Sequence, residues 1–198
     1  MKKIAAIVAI VVALSVMGGT VHAAQDSLPG DAFYPVKLGV ERATMMLAEG
    51  DLARAERALD FAGKRVKEMI TLTERERVGD LGLAADRCCY ALNMSLAAME
   101  RLWNRGADTE SVTAKAAEAT ARHLSILDGL YDAVPDEAKP AIARAMEQSL
   151  QCYQRAIQVR EQLRLQVSEL PTVPTEVQER VQQRVREHAN AGQGGPRE

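Results

Sequence analysis

The sequence predicts an all-α protein, an antiparallel helical bundle of about four long helices plus a short N-terminal helix, after a cleaved signal peptide. Three observations predict it. Apolar residues recur at steps of three and four through most of the chain, Gly and Pro fall at the breaks of that pattern, and no alternating run reads as a strand. Residues 1–23 read as the signal peptide, 24–34 as a leader turn, 35–170 as the helical bundle domain, and 171–198 as a polar C-terminal helix with a disordered tail.

Met1-Lys2-Lys3 is a short basic opening, and Ile4 to Met17 is an uncharged run of mostly Ile, Val, Ala and Leu that ends at Gly18-Gly19. Val21-His22-Ala23 then places small residues where a signal peptidase reads them, so cleavage is expected after Ala23. The apolar run falls short of the roughly 20 residues that span a bilayer. No cysteine lies near the cleavage site to carry a lipid anchor, so no stable membrane span is expected after cleavage.

Leu28-Pro29-Gly30-Asp31 reads as a turn, because Pro presets φ and Gly supplies the left-handed conformation. The short first helix opens at Pro35, whose missing N–H costs nothing there, and stops at Glu49-Gly50. Asp51 is the expected N-cap of the second helix, with Leu52, Ala55, Leu59, Ala62, Val66 and Met69 on its seam. Asp51, Arg54, Arg65 and Lys67 are expected on the solvated back of that helix, which breaks at Gly79-Asp80. The third helix spans about 81–104, its broad apolar face running through Ala85, Cys89, Leu92, Leu96, Met99 and Trp103 with Cys88 and Leu102 beside that line. Arg105-Gly106 closes it.

Asp108 or Thr109 caps the fourth helix, whose stripe is Val112, Ala116, Ala119, His123, Ile126 and Leu130. After Pro135, Asp136 opens the fifth and longest helix, with Ile142, Ala145, Ser149, Cys152, Ala156, Val159 and Leu163 in line. Pro171 and Pro174 end it, and Thr175 to Ala189 is expected to be a polar terminal helix.

Losing Lys2 and Lys3 with the signal peptide leaves 23 basic against 27 acidic residues. That balance, with 4% aromatics, argues against nucleic acid, which draws clustered Lys and Arg and stacking rings. No GxSxG, phosphate loop or CxxCH motif occurs, and the acidic residues interleave with Arg and Lys as a solvated face. The expectation is a protein that is not an enzyme and carries no cofactor.

The mature chain keeps Cys88, Cys89 and Cys152. Adjacent Cα atoms sit about 3.8 Å apart, below the disulfide range, so a bridge is expected to join Cys152 to Cys88 or Cys89, against the alternative of three buried small hydrophobes. His123 lies on the inward stripe of the fourth helix, where most lone histidines are hydrogen-bonded core residues. With Cys88, Cys89 and Cys152 it is also a candidate soft-metal set, since thiolate and imidazole suit copper or zinc. Met45 and Met46 are candidates for an adaptable binding surface.

Leu28-Pro29-Gly30-Asp31-Ala32-Phe33-Tyr34-Pro35-Val36-Lys37, followed by Glu41, Arg54-Ala55, Leu59, Phe61-Ala62 and Arg65-Val66-Lys67-Glu68, resembles a bacterial family of exported helical domains of unknown function. The resemblance implies an envelope-facing helical domain, sometimes found in proteins like anti-sigma factors, and implies no activity. The chain departs from anchored members of that family in having no second membrane span. Tyr34 or Phe33 is expected to staple the start of the first helix to the bundle. Small periplasmic chaperones and metal-stress sensors are similar in size and helix content, but their repeated Leu-Thr-x-x-Gln is approached once, at Leu72-Thr73-Glu74-Arg75.

The functional expectation is therefore an exported protein of the periplasm or cell envelope, or a secreted one, that acts by protein binding. Its partner is an unidentified envelope protein, and a homo-oligomer is left open. The alternative is a periplasmic chaperone or stress sensor with a soft-metal or haem site.

Overall fold

The computed structural model describes residues 24–163 and 170–191. The signal peptide expected at 1–23, the stretch 164–169 before Pro171 and the tail 192–198 lie outside the described residues. Among the described residues every regular element is helical, as expected from the sequence. These are α1 (Tyr34–Met46), α2 (Gly50–Glu74), a 3-10 turn (Val78–Asp80), α3 (Leu81–Asn104), α4 (Glu110–Ala133), α5 (Lys139–Gln162) and α6 (Thr175–Ala191). The described residues fall into two compact units, divided between Ala48 and Glu49.

In the first unit the leader motif wires itself. Gly30 takes φ 87°, a left-handed turn that a side chain would resist. The Leu28 N–H donates to Asp31 Oδ2 at 2.7 Å and the Asp31 N–H returns to the Leu28 carbonyl at 2.9 Å. Lys37, one turn into α1, reaches back to the Ser27 carbonyl at 3.0 Å with its ammonium 5.9 Å from the Tyr34 ring centroid. Pro35 sits in the first turn of α1, where its missing donor has no role. Of the two aromatic residues there, Tyr34 is buried and Phe33 is exposed.

In the second unit α2 packs on α3 and α4, and α5 packs on the same two, so each long helix has two long neighbours. Leu59, Leu72, Leu81, Leu92, Leu124 and Leu127 are fully buried between them. Each stabilises the fold by about 2 kcal/mol through area removed from water. Ala55, Ala58, Ala62, Ala116, Ala117, Ala145 and Ala156 fill the narrower positions, where a small side chain lets helix backbones approach.

Several expectations are corrected. Glu49 precedes the first residue of α2, so Asp51 is not the N-cap; it lies in the first turn and is buried. Arg65, expected on the solvated back, is 1% exposed, whereas Leu52 of the expected seam is 40% exposed. The buried face of α3 is rotated to Leu81, Ala84, Ala85, Cys88, Ala91, Leu92, Ser95, Ala98, Met99 and Leu102. Cys89, Leu96 and Trp103 lie at its edge, half-buried. Ile126 and Leu163 are exposed, and α2 with 25 residues exceeds α5 with 24.

Thr109 stands before α4 as expected, but its hydroxyl makes no cap bond; Asp108 Oδ1 instead accepts from the Glu110 N–H at 2.9 Å. α6, expected as a polar tail helix, lies against α5 and touches α4.

Candidate functional site

Neighbouring positions on a helix point about 100° apart, and this splits the vicinal cysteines between two partner helices. Cys88 is buried, its Sγ 3.8 Å from the Ala62 carbonyl of α2. Cys89 is half-buried, with its Sγ 3.6 Å from the Arg144 carbonyl of α5. Cys152, on α5, is buried, and all three thiols are free in the structure.

Burial pushes the Cys88 thiol well above its usual range, and Cys89 and then Cys152 raise it further against the opposing pull of Arg65. It pushes Cys152 up to about 12. Cys89 is raised to about 11, burial outweighing the nearby Arg144 guanidinium. At neutral pH these are thiols rather than thiolates, hence poor nucleophiles.

His123 is on the inward face of α4, as expected, and is 5% exposed. Its Nε2 faces Gly63 of α2, 3.5 Å from where a Cβ would lie, an ordinary van der Waals distance. Its Nδ1 is buried with no hydrogen-bond partner among the described residues. Burial, with Arg122 adding repulsion, lowers its pKa to about 4, so the imidazole is neutral at physiological pH. Among the described residues no group of three or more His, Cys, Asp or Glu side chains is placed to hold a metal ion. No helix among them is long and apolar enough to cross a membrane.

Two polar constellations escaped the sequence reading. At one end of the core, Arg101 Nε donates to Asp51 Oδ1 at 2.9 Å and Arg105 donates to Oδ2, with Arg54 3.8 Å from Oδ1. The Arg101 hydrogen bond, aided by the charges of both α3 arginines, holds the Asp51 carboxyl below the usual range. The Arg101 and Arg105 contacts clamp the start of α2 to the end of α3, while the Arg54 contact stays within α2.

The second constellation joins α6 to α4. Arg184 donates to Asp128 Oδ1 at 2.5 Å and to Asp132 Oδ1 at 2.8 Å, while its guanidinium lies 4.1 Å from the Tyr131 ring centroid. Tyr131 Oη and His188 Nε2 share a hydrogen bond of 2.9 Å. A sequence signal was present: Val177, Val181, Arg184 and His188 follow steps of four, three and four, placing them on one face.

The outer surface of α3 carries a third feature. Leu83 is 42% and Tyr90 61% exposed, two turns apart on the same face, with half-buried Met94 a turn beyond. Met46 is 70% exposed at the end of α1, with Met45 half-buried beside it.

No curated protein and no solved structure matches the chain. The family described as a domain of unknown function, DUF5667, matches residues 26–188. That span takes in the self-wired leader, the four packed long helices and most of α6, and the chain belongs to the DUF5667 family.

Proposed function

We propose that the chain is an exported protein of the cell envelope whose four long helices run antiparallel and which acts by binding a protein partner rather than by catalysis. The observation that carries this reading is the Leu83–Tyr90 stripe on α3. Solitary exposed apolar side chains are ordinary. Two on one helical face, one of them a tyrosine more than half exposed, form the kind of aromatic-centred strip that protein interfaces use. The groups with reactive chemistry point the other way: Cys88, Cys152 and His123 are sealed in the core in their neutral forms. The basic opening, apolar run and small-residue site at 1–23 support export.

The test is the native mass of the protein isolated from its own envelope fraction without reductant or chelator. The expected result is a complex that contains a second protein and that is lost from a Leu83→Lys, Tyr90→Lys double variant with an unchanged thermal transition. A chain heavier by one metal ion or one haem turns the reading to the chaperone or stress sensor. A complex that survives the double change places the partner elsewhere and removes the stripe as its seat.

A further inference from the structure

The docked helix α6 stands on a narrow footing. Of its described side chains Val181 alone is buried, at 1% exposure. Val177 and Val185 are half-buried beside it, His188 bonds Tyr131, and the polar part of the hold centres on Arg184. Arg184 stacks on Tyr131 and is gripped by Asp128 and Asp132, with Arg180 3.5 Å from the same Asp128. Ahead of the helix, Tyr153 of α5 fixes the incoming chain: its hydroxyl donates to the Pro171 carbonyl and accepts from the Val173 N–H, each at 3.2 Å. A 17-residue helix rich in Gln, Glu and Arg is marginal by itself in water. Segments with few buried apolar side chains are those that open locally while the rest of a domain stays folded.

The seat left behind has a definite chemistry. Its centre is the face of Tyr131, and the Asp128 and Asp132 carboxylates flank it. A guanidinium satisfies all three at once, through its planar stack and its fork of donors, which a lysine ammonium cannot do. One turn before that guanidinium the seat accepts a small β-branched apolar side chain, the place of Val181.

We propose that this seat is an exchangeable docking site. α6 fills it within the chain, and a partner's amphipathic helix carrying an arginine three residues after a small apolar side chain fills it when α6 leaves. The proposal rests on the protein-binding reading and adds a second surface and its control. α6 is then an internal competitor, and whatever loosens the Arg184 clasp raises the affinity for the partner.

The probe is a fluorescent peptide of residues 170–191, titrated by anisotropy with the full chain and with full-chain Arg184→Ala. The variant weakens the internal helix but leaves Tyr131, Asp128 and Asp132 in place to receive the peptide's own arginine. The expected result is peptide binding at least tenfold tighter to the variant than to the unchanged chain, and none of a peptide bearing Arg184→Ala. Val181→Asp in the chain supplies a second release of α6 and should give the same gain. Hydrogen exchange of α6 reports whether it has left. A variant in which α6 exchanges freely while the peptide still fails to bind overturns the proposal, as does equal binding of the two peptides. Either failure leaves the native-mass experiment free to find a partner on α3.

Discussion

Arg65 Nη1 lies 2.6 Å from Glu68 Oε1 and 2.7 Å from Oε2, one turn further along α2, with Arg65 1% and Glu68 5% exposed. Two opposite charges are thus withdrawn from water together. Removing either takes from the other, which stays buried, the opposite charge lying against it, at a cost of about 3–5 kcal/mol, whereas replacing both by apolar groups of similar volume is often close to neutral. Glu68→Ala is therefore expected to lower stability by that amount in urea denaturation. The double change Arg65→Met, Glu68→Leu should recover most of the loss. A double variant as unstable as Glu68→Ala would show that the site requires the charges themselves.

The vicinal cysteines give a second prediction, because one lies inside the core and the other at its edge. Iodoacetamide at pH 8 is expected to modify Cys89 in the folded chain, and Cys88 and Cys152 only after unfolding. The Cys89 rate should keep climbing as the pH approaches 11, since the thiolate is the nucleophile and burial holds that thiol up to about 11. Peptide mapping by mass spectrometry checks both statements. Equal labelling of all three thiols in the folded chain would contradict the burial of Cys88 and Cys152.

The end of α2 gives a third. The Arg77 N–H donates to the Leu72 carbonyl at 2.8 Å and the Glu76 N–H to the Thr73 carbonyl at 3.0 Å, the paired bonds of a Schellman cap. That cap needs a left-handed residue, and Glu76 supplies it at φ 57°. At the end of α3 the same pair, Ala107 to Leu102 and Gly106 to Trp103, is served by Gly106 at φ 63°. A side chain in this conformation costs roughly 1 kcal/mol. Glu76→Gly is expected to raise stability by about that much and Gly106→Ala to lower it similarly, both read from denaturation midpoints.

These helix ends also show how far the sequence could be read. Gly106 marked the end of α3 openly, and the third helix was placed at its observed bounds. The end of α2 was hidden because a glutamate holds the glycine position, so the break was assigned to Gly79-Asp80 instead. Periodicity located each helix but fixed its buried face only to within one residue, about 100° of rotation, which moved Cys89 off the core line and Arg65 onto it. Charged residues were assigned to solvent one at a time. Asp51 and Arg65 defy this because Arg101, Arg105 and Glu68 satisfy them in place: the Asp51 pairing leaves its own helix and has no mark in local pattern, whereas Arg65 and Glu68 stand three apart on α2 and only their joint burial is hidden. The Arg184 clasp was missed for the same reason as the Asp51 pairing: Asp128 and Asp132 are more than fifty residues away along the chain.

His123 makes the last prediction a matter of sign. Burial, with Arg122 adding to it, lowers its pKa from an ordinary 6.5 to about 4. Between those values the unfolded chain takes up a proton that the folded chain refuses, so acid favours unfolding. The contribution is fully present above pH 6.5 and is lost as the pH falls to 4, by about 3 kcal/mol across the window. His123→Leu removes that proton uptake. It also removes the buried Nδ1 that has no partner among the described residues, so near pH 7 the variant should match or exceed the original chain. Urea midpoints taken from pH 4 to pH 7 should therefore fall more steeply toward acid for the original chain than for His123→Leu. Parallel slopes would place the imidazole in contact with water and would open the core of the unit at α4.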